Sequence, residues 1–127
     1  MKKQRTLKNL GDSKLCTIHI NSTQNNTILT ARNIEGLVLF NVSIGSVIKS
    51  KRGKRSVPQG ALLSGEFLGN RLLENGFLYA QVVLKGFGSG RENAIHGLIS
   101  TGFNILEIID LTSLPHNGCR APKARRI

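Results

Sequence analysis

Between residues 15 and 110 the apolar positions alternate between a two-residue and a three-to-four-residue period, and each switch marks a new element. Leu15 to Ile20 (LCTIHI) places apolar residues between small or polar ones, as a half-buried strand does. The polar cluster Asn21 to Asn26 breaks it, Thr27 to Arg32 (TILTAR) begins a second strand, Asn33 to Gly36 supplies a turn, and Leu37 to Ile44 (LVLFNVSI) reads as a third. These three predict an antiparallel meander. After Pro58, which suits a first helical turn, Ala61, Leu62, Gly65, Leu68, Gly69, Leu72 and Leu73 recur at helical spacing up to the C-cap signal Asn75-Gly76. Gly65 and Gly69 weaken that helix intrinsically and predict close packing against the sheet. Phe77 to Leu84 (FLYAQVVL) is the most apolar run, with large residues on both faces, and predicts a central strand. Glu92 to Thr101 predicts a shorter helix with Ala94, Ile95, Leu98 and Ile99 inward, stopped by Gly102, and Phe103 to Asp110 (FNILEIID) predicts the last strand.

The order β-β-β-α-β-α-β makes this an α/β chain, with a mixed five-stranded sheet and two packed helices. The strand-helix-strand unit from Phe77 to Asp110 implies a right-handed crossover between parallel strands. No internal repeat is visible. A length of 127 residues suits one domain with a modest core, and the pattern divides the chain into an arm (1–14), a single α/β domain (15–110) and a tail (111–127).

Charge adds what hydropathy leaves out. The net charge is +11, and the excess positive charge is confined to three places, with the rest of the chain slightly negative. The arm holds Lys2, Lys3, Arg5, Lys8 and Lys14 against Asp12; an internal stretch holds Lys49, Lys51, Arg52, Lys54 and Arg55; the tail holds Arg120, Lys123, Arg125 and Arg126. Residues 45–57 show no helical stripe and predict an exposed, mobile loop. The arm and the proline-containing tail are expected to gain order only on a partner. Three basic clusters beside a nearly neutral body point to a polyanion, and nucleic acid fits flexible donors at phosphate spacing. With no Trp, one Tyr and the Phe residues mostly in apolar runs, structured RNA read by backbone and shape is favoured over stacking on single strands.

The candidate chemistry is otherwise sparse. In Lys85-Gly86-Phe87-Gly88-Ser89-Gly90-Arg91-Glu92 three alternate glycines lead from a strand into a helix, so the backbone can take a phosphate or approach another backbone closely. A tight turn without a ligand is the competing reading of the same loop. The loop lacks the Gly-Lys-Ser/Thr ending of a nucleotide-triphosphate site and the full dinucleotide-binding spacing. The carboxylates Asp12, Glu35, Glu66, Glu74, Glu92, Glu107 and Asp110 are scattered, which disfavours two-metal nuclease chemistry. His19, His96 and His116 show no ligand spacing, and His116 with Cys119 falls short of the four ligands of structural zinc. Cys16 and Cys119 suggest neither a disulfide framework nor a metal site, which favours a reducing setting. No apolar run reaches the length of a membrane span, and MKKQRTLKNL lacks a secretory apolar region. An enzyme acting on nucleic acid, another basic RNA-binding protein and a peripheral membrane protein are the rival readings; the last lacks a basic amphipathic helix to insert.

The tail Pro115-His116-Asn117-Gly118-Cys119-Arg120-Ala121-Pro122-Lys123-Ala124-Arg125-Arg126-Ile127 closely resembles the C-terminus of the family of the eleventh protein of the small ribosomal subunit. Asn25-Asn26-Thr27, the basic loop leading to Pro58, and Gly86 to Glu92 resemble the family's motifs in the same order, so the likeness covers roughly residues 15–127. Phe87 and Ser89 stand where the family's loop usually has prolines, and Ala121-Pro122 and Ala124 depart from its usual tail. The resemblance implies a ribonuclease-H-like topology without nuclease carboxylates, no enzymatic activity, no cofactor, and no membrane or small-molecule partner. It implies a structural role on the platform of the small subunit, bound to the central domain of the rRNA near the messenger exit, with the seventh and eighteenth proteins as neighbours. By position it implies RNA contacts from Asn25, Asn26, Lys49, Lys51, Arg52, Lys54, Arg55, Gly88, Arg91, His116, Asn117, Arg120, Lys123, Arg125 and Arg126. Asn117-Gly118 is expected to turn with positive φ and is a candidate for isoaspartate formation. The richness in Asn and Ile suggests an organellar ribosome, in the mitochondrial matrix, with the bacterial cytoplasm as the alternative.

Overall fold

The computed structural model describes residues 14–48 and 58–127. Its elements are β1 (Leu15–Ser22), β2 (Thr27–Arg32), β3 (Val38–Ser43), α1 (Ile44–Ile48), α2 (Pro58–Glu74), β4 (Tyr79–Lys85), α3 (Arg91–Ser100) and β5 (Asn104–Asp110). They build one five-stranded sheet in the order β3-β2-β1-β4-β5. The β1–β2 and β2–β3 pairs are antiparallel, whereas β4 is parallel to both β1 and β5. This is the mixed, ribonuclease-H-like arrangement that the resemblance implied. The middle position belongs to β1 and not to the Phe77–Leu84 run. That run forms β4, an interior strand flanked by β1 and β5, with Ala80, Val82 and Leu84 buried on one face and Val83 on the other.

Alternation in β1 buries Cys16, Ile18, Ile20 and Ser22 and leaves Thr17, His19 and Asn21 on the other face. On the buried face Leu29, Ala31, Val42, Ala80, Val82 and Leu84 join them under α2 and α3, which contribute Ala61, Leu68, Leu72, Ala94 and Leu98. Both helices thus cover one side of the sheet. The uncovered side carries Thr17, His19, Asn21, Thr30, Arg32, Asn41, Gln81 and Lys85 with Ile28 and Val83 among them, a mainly polar surface suited to water or to a partner.

The glycines of α2 do not pack on the sheet as expected; they pack on α3. A β-carbon on Gly65 would meet the Ala94 carbonyl and lie 3.2 Å from the Gly97 α-carbon, and one on Gly97 would meet the Leu62 carbonyl and lie 3.1 Å from the Gly65 α-carbon. Two helices lying side by side on one sheet face can touch backbone to backbone only where neither carries a side chain. The Asn75-Gly76 cap forms as expected, with Gly76 N–H donating to Leu73 O at 3.1 Å and Phe77 N–H to Leu72 O at 3.1 Å.

Two further local readings differ. There are three helices among the described residues, because Ile44–Ile48 forms the short α1 where a strand end and a mobile loop were expected. Ser43 and Ser46 cap it reciprocally: Ser43 N–H donates to Ser46 Oγ at 3.1 Å and Ser46 N–H to Ser43 Oγ at 3.3 Å. Ile44 is buried, and Val47 and Ile48 pack on the core. The signal was a Ser-x-x-Ser box hidden in a β-branched run. The second difference is Ile99, which is 52% exposed, because Ala94, Gly97 and Leu98 form the inward stripe of α3.

On an exposed helix, Gly→Ala stabilises by about 1 kcal/mol. At Gly65 the opposite is expected: Gly65→Ala destabilises by about 1–3 kcal/mol, because the helix pair must separate. Urea denaturation measures the sign, and a stabilised variant would show that α2 and α3 are not in backbone contact.

Candidate nucleic-acid interface

Because β1, β4 and β5 run parallel, their C-terminal ends lie at one end of the sheet. The register places Ser22 beside Thr27, Asn21 beside Lys85 and Leu84 beside Asp110, and Ile28 beside Ser43 brings the entrance of α1 to the same end. The β1–β2 turn, the glycine loop, the entrance of α1 and the start of the tail therefore share one end of the sheet. Lys14, where the N-terminal arm joins β1, lies at the other.

The glycine loop is seated on the β1–β2 turn. Gly88 N–H donates to the Ser22 carbonyl at 3.1 Å, and a side chain at Gly86 (φ +86) or Gly88 would collide with the Ser22 or Thr23 carbonyl. The alternate glycines are thus used for close approach of another backbone, one of the two uses their spacing allowed. The turn beneath is ordered by its own bonds. Asn26 N–H donates to Thr23 Oγ1 at 3.2 Å, Thr27 N–H donates to Asn26 Oδ1 at 2.9 Å, and the buried Ser22 and Thr27 hydroxyls lie 3.2 Å apart. The fold therefore brings Asn25, which is exposed, and Asn26, half-buried, beside Gly88.

Arg91 locks this assembly from the helix side. Its Nη1 donates to the Gly86 carbonyl at 3.1 Å, its Nη2 pairs with the Asp110 carboxylate, and its guanidinium lies over the Phe87 ring, 5.7 Å from the centroid. Expected as a charge beside the loop amides, Arg91 has its guanidinium engaged by the protein. Asp110 also accepts from Thr112, at 3.0 Å from the amide and 2.6 Å from the hydroxyl. The Thr112 hydroxyl first, then the Arg91 guanidinium and the Thr112 amide, hold its carboxyl down at about 2. The Asp110 carboxylate thus anchors the start of the tail to the body.

His116, Asn117, Arg120, Lys123, Arg125 and Arg126 are all exposed in a segment without helix or strand. Asn117 has φ 67, the turn expected of Asn117-Gly118. Lys49, Lys51, Arg52, Lys54 and Arg55 lie outside the described residues, as does the arm before Lys14. Sequence reasoning missed three features: the Arg91–Asp110–Thr112 lock, the exposure of Phe87, and a cationic strip on the open sheet face. In that strip Arg32 Nη1 stands 3.4 Å from His19 Nε2, and partial burial, then Arg32 and Lys85, lower the imidazole pKa. Only strand register could have revealed it.

Among the described residues no group of three or more metal-ligating side chains gathers, and no helix is long and apolar enough to cross a membrane. Cys16 is buried, its thiol pushed up to about 12 by desolvation, and Cys119 is exposed; both are free thiols. Glu107 accepts from Gln81 Nε2 at 3.2 Å.

A mixed sheet that gathers two loops, a capped helix and a cationic extension at one edge is the architecture of a basic α/β scaffold protein. Residues 16–126 match the family model described as ribosomal protein S11. The small ribosomal subunit protein uS11c of Tupiella akineta is 44% identical over 110 residues, covering 87% of this chain and 84% of that protein. The uS11c protein of Phaeodactylum tricornutum is 43% identical over the same coverage, and uS11 of Borreliella burgdorferi is 38% identical over 125 residues, 98% of this chain and 93% of that one. The chain belongs to the ribosomal protein S11 family, a family of structural ribosomal proteins and not of enzymes.

Because the Asp110 carboxyl is held below its unfolded value of about 4, the lock contributes to stability above that value and is lost as pH falls toward about 2. Carboxyl-detected NMR titration is expected to place the Asp110 midpoint near 2 in the native chain and to find it raised in both Thr112→Val and Arg91→Gln. An unmoved midpoint in either variant would remove that partner from the lock.

Proposed function

We propose that this chain is a structural, rRNA-binding component of the small ribosomal subunit. It binds the central domain of the rRNA on the platform near the messenger exit, beside the seventh and eighteenth proteins. The observation that carries the proposal is the convergence at one end of the sheet of the Asn25-Asn26 turn, the glycine loop, the entrance of α1 and the root of the tail. A rigid sheet sets the spacing of cationic segments, and each segment releases counterions as it folds onto RNA. In this reading residues 15–110 are the body, 1–14 the arm and 111–127 the rRNA-binding tail.

The residues that face RNA divide by role. Arg120, Lys123, Arg125 and Arg126, with Lys49, Lys51, Arg52, Lys54 and Arg55, neutralise phosphates. Asn25, Asn26, His116 and Asn117 donate or accept hydrogen bonds at the RNA surface, and Gly88 permits close approach beside them. Arg91 acts within the protein as well, holding the loop in shape. The ribosome that takes up this chain is proposed to be organellar, of the mitochondrial matrix. Relatives include both uS11c and uS11 proteins, so the bacterial cytoplasm is the other outcome. Sedimentation of small subunits from separated compartments decides between them.

Deletion of residues 115–127 removes four cations and leaves the core intact. Binding to small-subunit rRNA is expected to weaken, and the slope of log affinity against log salt to flatten by about 3, while circular dichroism stays unchanged. A slope identical to that of the full chain would remove the tail from the interface.

A further inference from the structure

Phe87 occupies the outer side of the glycine loop and is 74% exposed, the most exposed aromatic side chain among the described residues. Phe103 is buried, and Phe40 and Phe77 pack on the core, as apolar runs predict. Phe87 alone stands between glycines, where no apolar neighbour in sequence can cover it. Its ring is not adrift. The Arg91 guanidinium lies over it at 5.7 Å and is itself tied to the Gly86 carbonyl and to Asp110. One side of the ring is thus backed by a fixed planar cation, and the rest faces solvent. Beside it is a solvent-open depression of about 430 Å³ lined by Phe87, Gly88, Ser89, Arg91 and Glu92.

The chemistry of that opening selects a base over a phosphate. The Arg91 charge is matched by Asp110, and Glu92 in the first turn of α3 adds a carboxylate on the rim, which offsets the pull of the helix N-terminus on phosphate and accepts from ring or exocyclic N–H groups. We propose that Phe87, backed by Arg91, is a stacking platform for one unpaired RNA base. The proposal deepens the rRNA-binding reading and rests on it. It also reverses the expectation that this chain reads RNA by backbone and shape alone. An aromatic face binds any base with little loss of conformational freedom, and the Arg91 cation near the ring holds that face in place. Phe67, 42% exposed with Arg71 over its ring at 5.0 Å, is a similar pair on the surface of α2 and serves as the control.

The test uses the full chain, a short unstructured oligoadenylate, and an abasic oligomer of equal length and charge. The native chain is expected to bind oligoadenylate roughly 5- to 150-fold tighter than the abasic oligomer. Phe87→Leu abolishes that difference, Phe87→Tyr retains it, and Phe67→Leu leaves it unchanged. The salt slope is the same in all variants, because no phosphate contact is lost. Equal affinity of the native chain for the two oligomers overturns the platform. Titration with small-subunit rRNA separates the two readings. Absence of salt-dependent rRNA binding by the native chain overturns the proposed function, whereas native rRNA binding that Phe87→Leu leaves intact overturns the stacking site alone. If Phe87→Leu instead releases a neighbouring protein from reconstituted subunits at unchanged rRNA affinity, the platform belongs to a protein contact and the proposal fails.

Discussion

The seating of the glycine loop on the β1–β2 turn is the contact on which the rest of the arrangement depends. Gly88 N–H to Ser22 O is one hydrogen bond of 3.1 Å, but it joins two connections that lie far apart in sequence. Through it the end of β4 and the start of α3 are fixed relative to the meander, and Arg91 is brought to where it can reach Asp110. A β-carbon on either Gly86 or Gly88 would meet backbone carbonyls, which cannot rotate away. The parallel pairing of β1 with β4 then carries this local fit across the sheet.

The electrostatics divide in the same way. At the edge of the body the one ion pair among the described residues, Arg91–Asp110, is turned to internal use. The tail cations stay exposed. A body of small net charge changes little with salt, whereas extensions of concentrated like charge respond strongly to a polyanion. Such a division suits a protein whose part is architectural. The uncovered face of the sheet, with Arg32, His19 and Lys85, gives the scaffold a second surface, where partial burial and then the two cations keep the imidazole uncharged to lower pH than usual.

Membership of the ribosomal protein S11 family accounts for the pattern of basic segments, and the departures from that family are informative in their own right. Phe87 gives the loop a flat apolar face. The loop keeps its shape because Gly86, Gly88 and Arg91 are the residues that hold it.

Strand order, the two longer helices, the C-cap at Asn75-Gly76, the turn at Asn117 and the location of the basic segments were legible in the residues, whereas the short α1 was not. Each is set by interactions within a few positions: alternation, capping, backbone preference or like-charge clustering. The family was legible because its motifs are local strings. What the residues could not reveal depends on contacts between distant positions. The placement of β1 in the middle of the sheet, the packing of Gly65 on Gly97, the loop resting on Ser22, the Arg91–Asp110 lock and the approach of Arg32 to His19 each join segments whose spacing along the chain carries no periodic signal. Hydrophobic pattern says which face is buried, but it does not say against what; only the closed sheet decides that, because only there does register turn sequence separation into proximity.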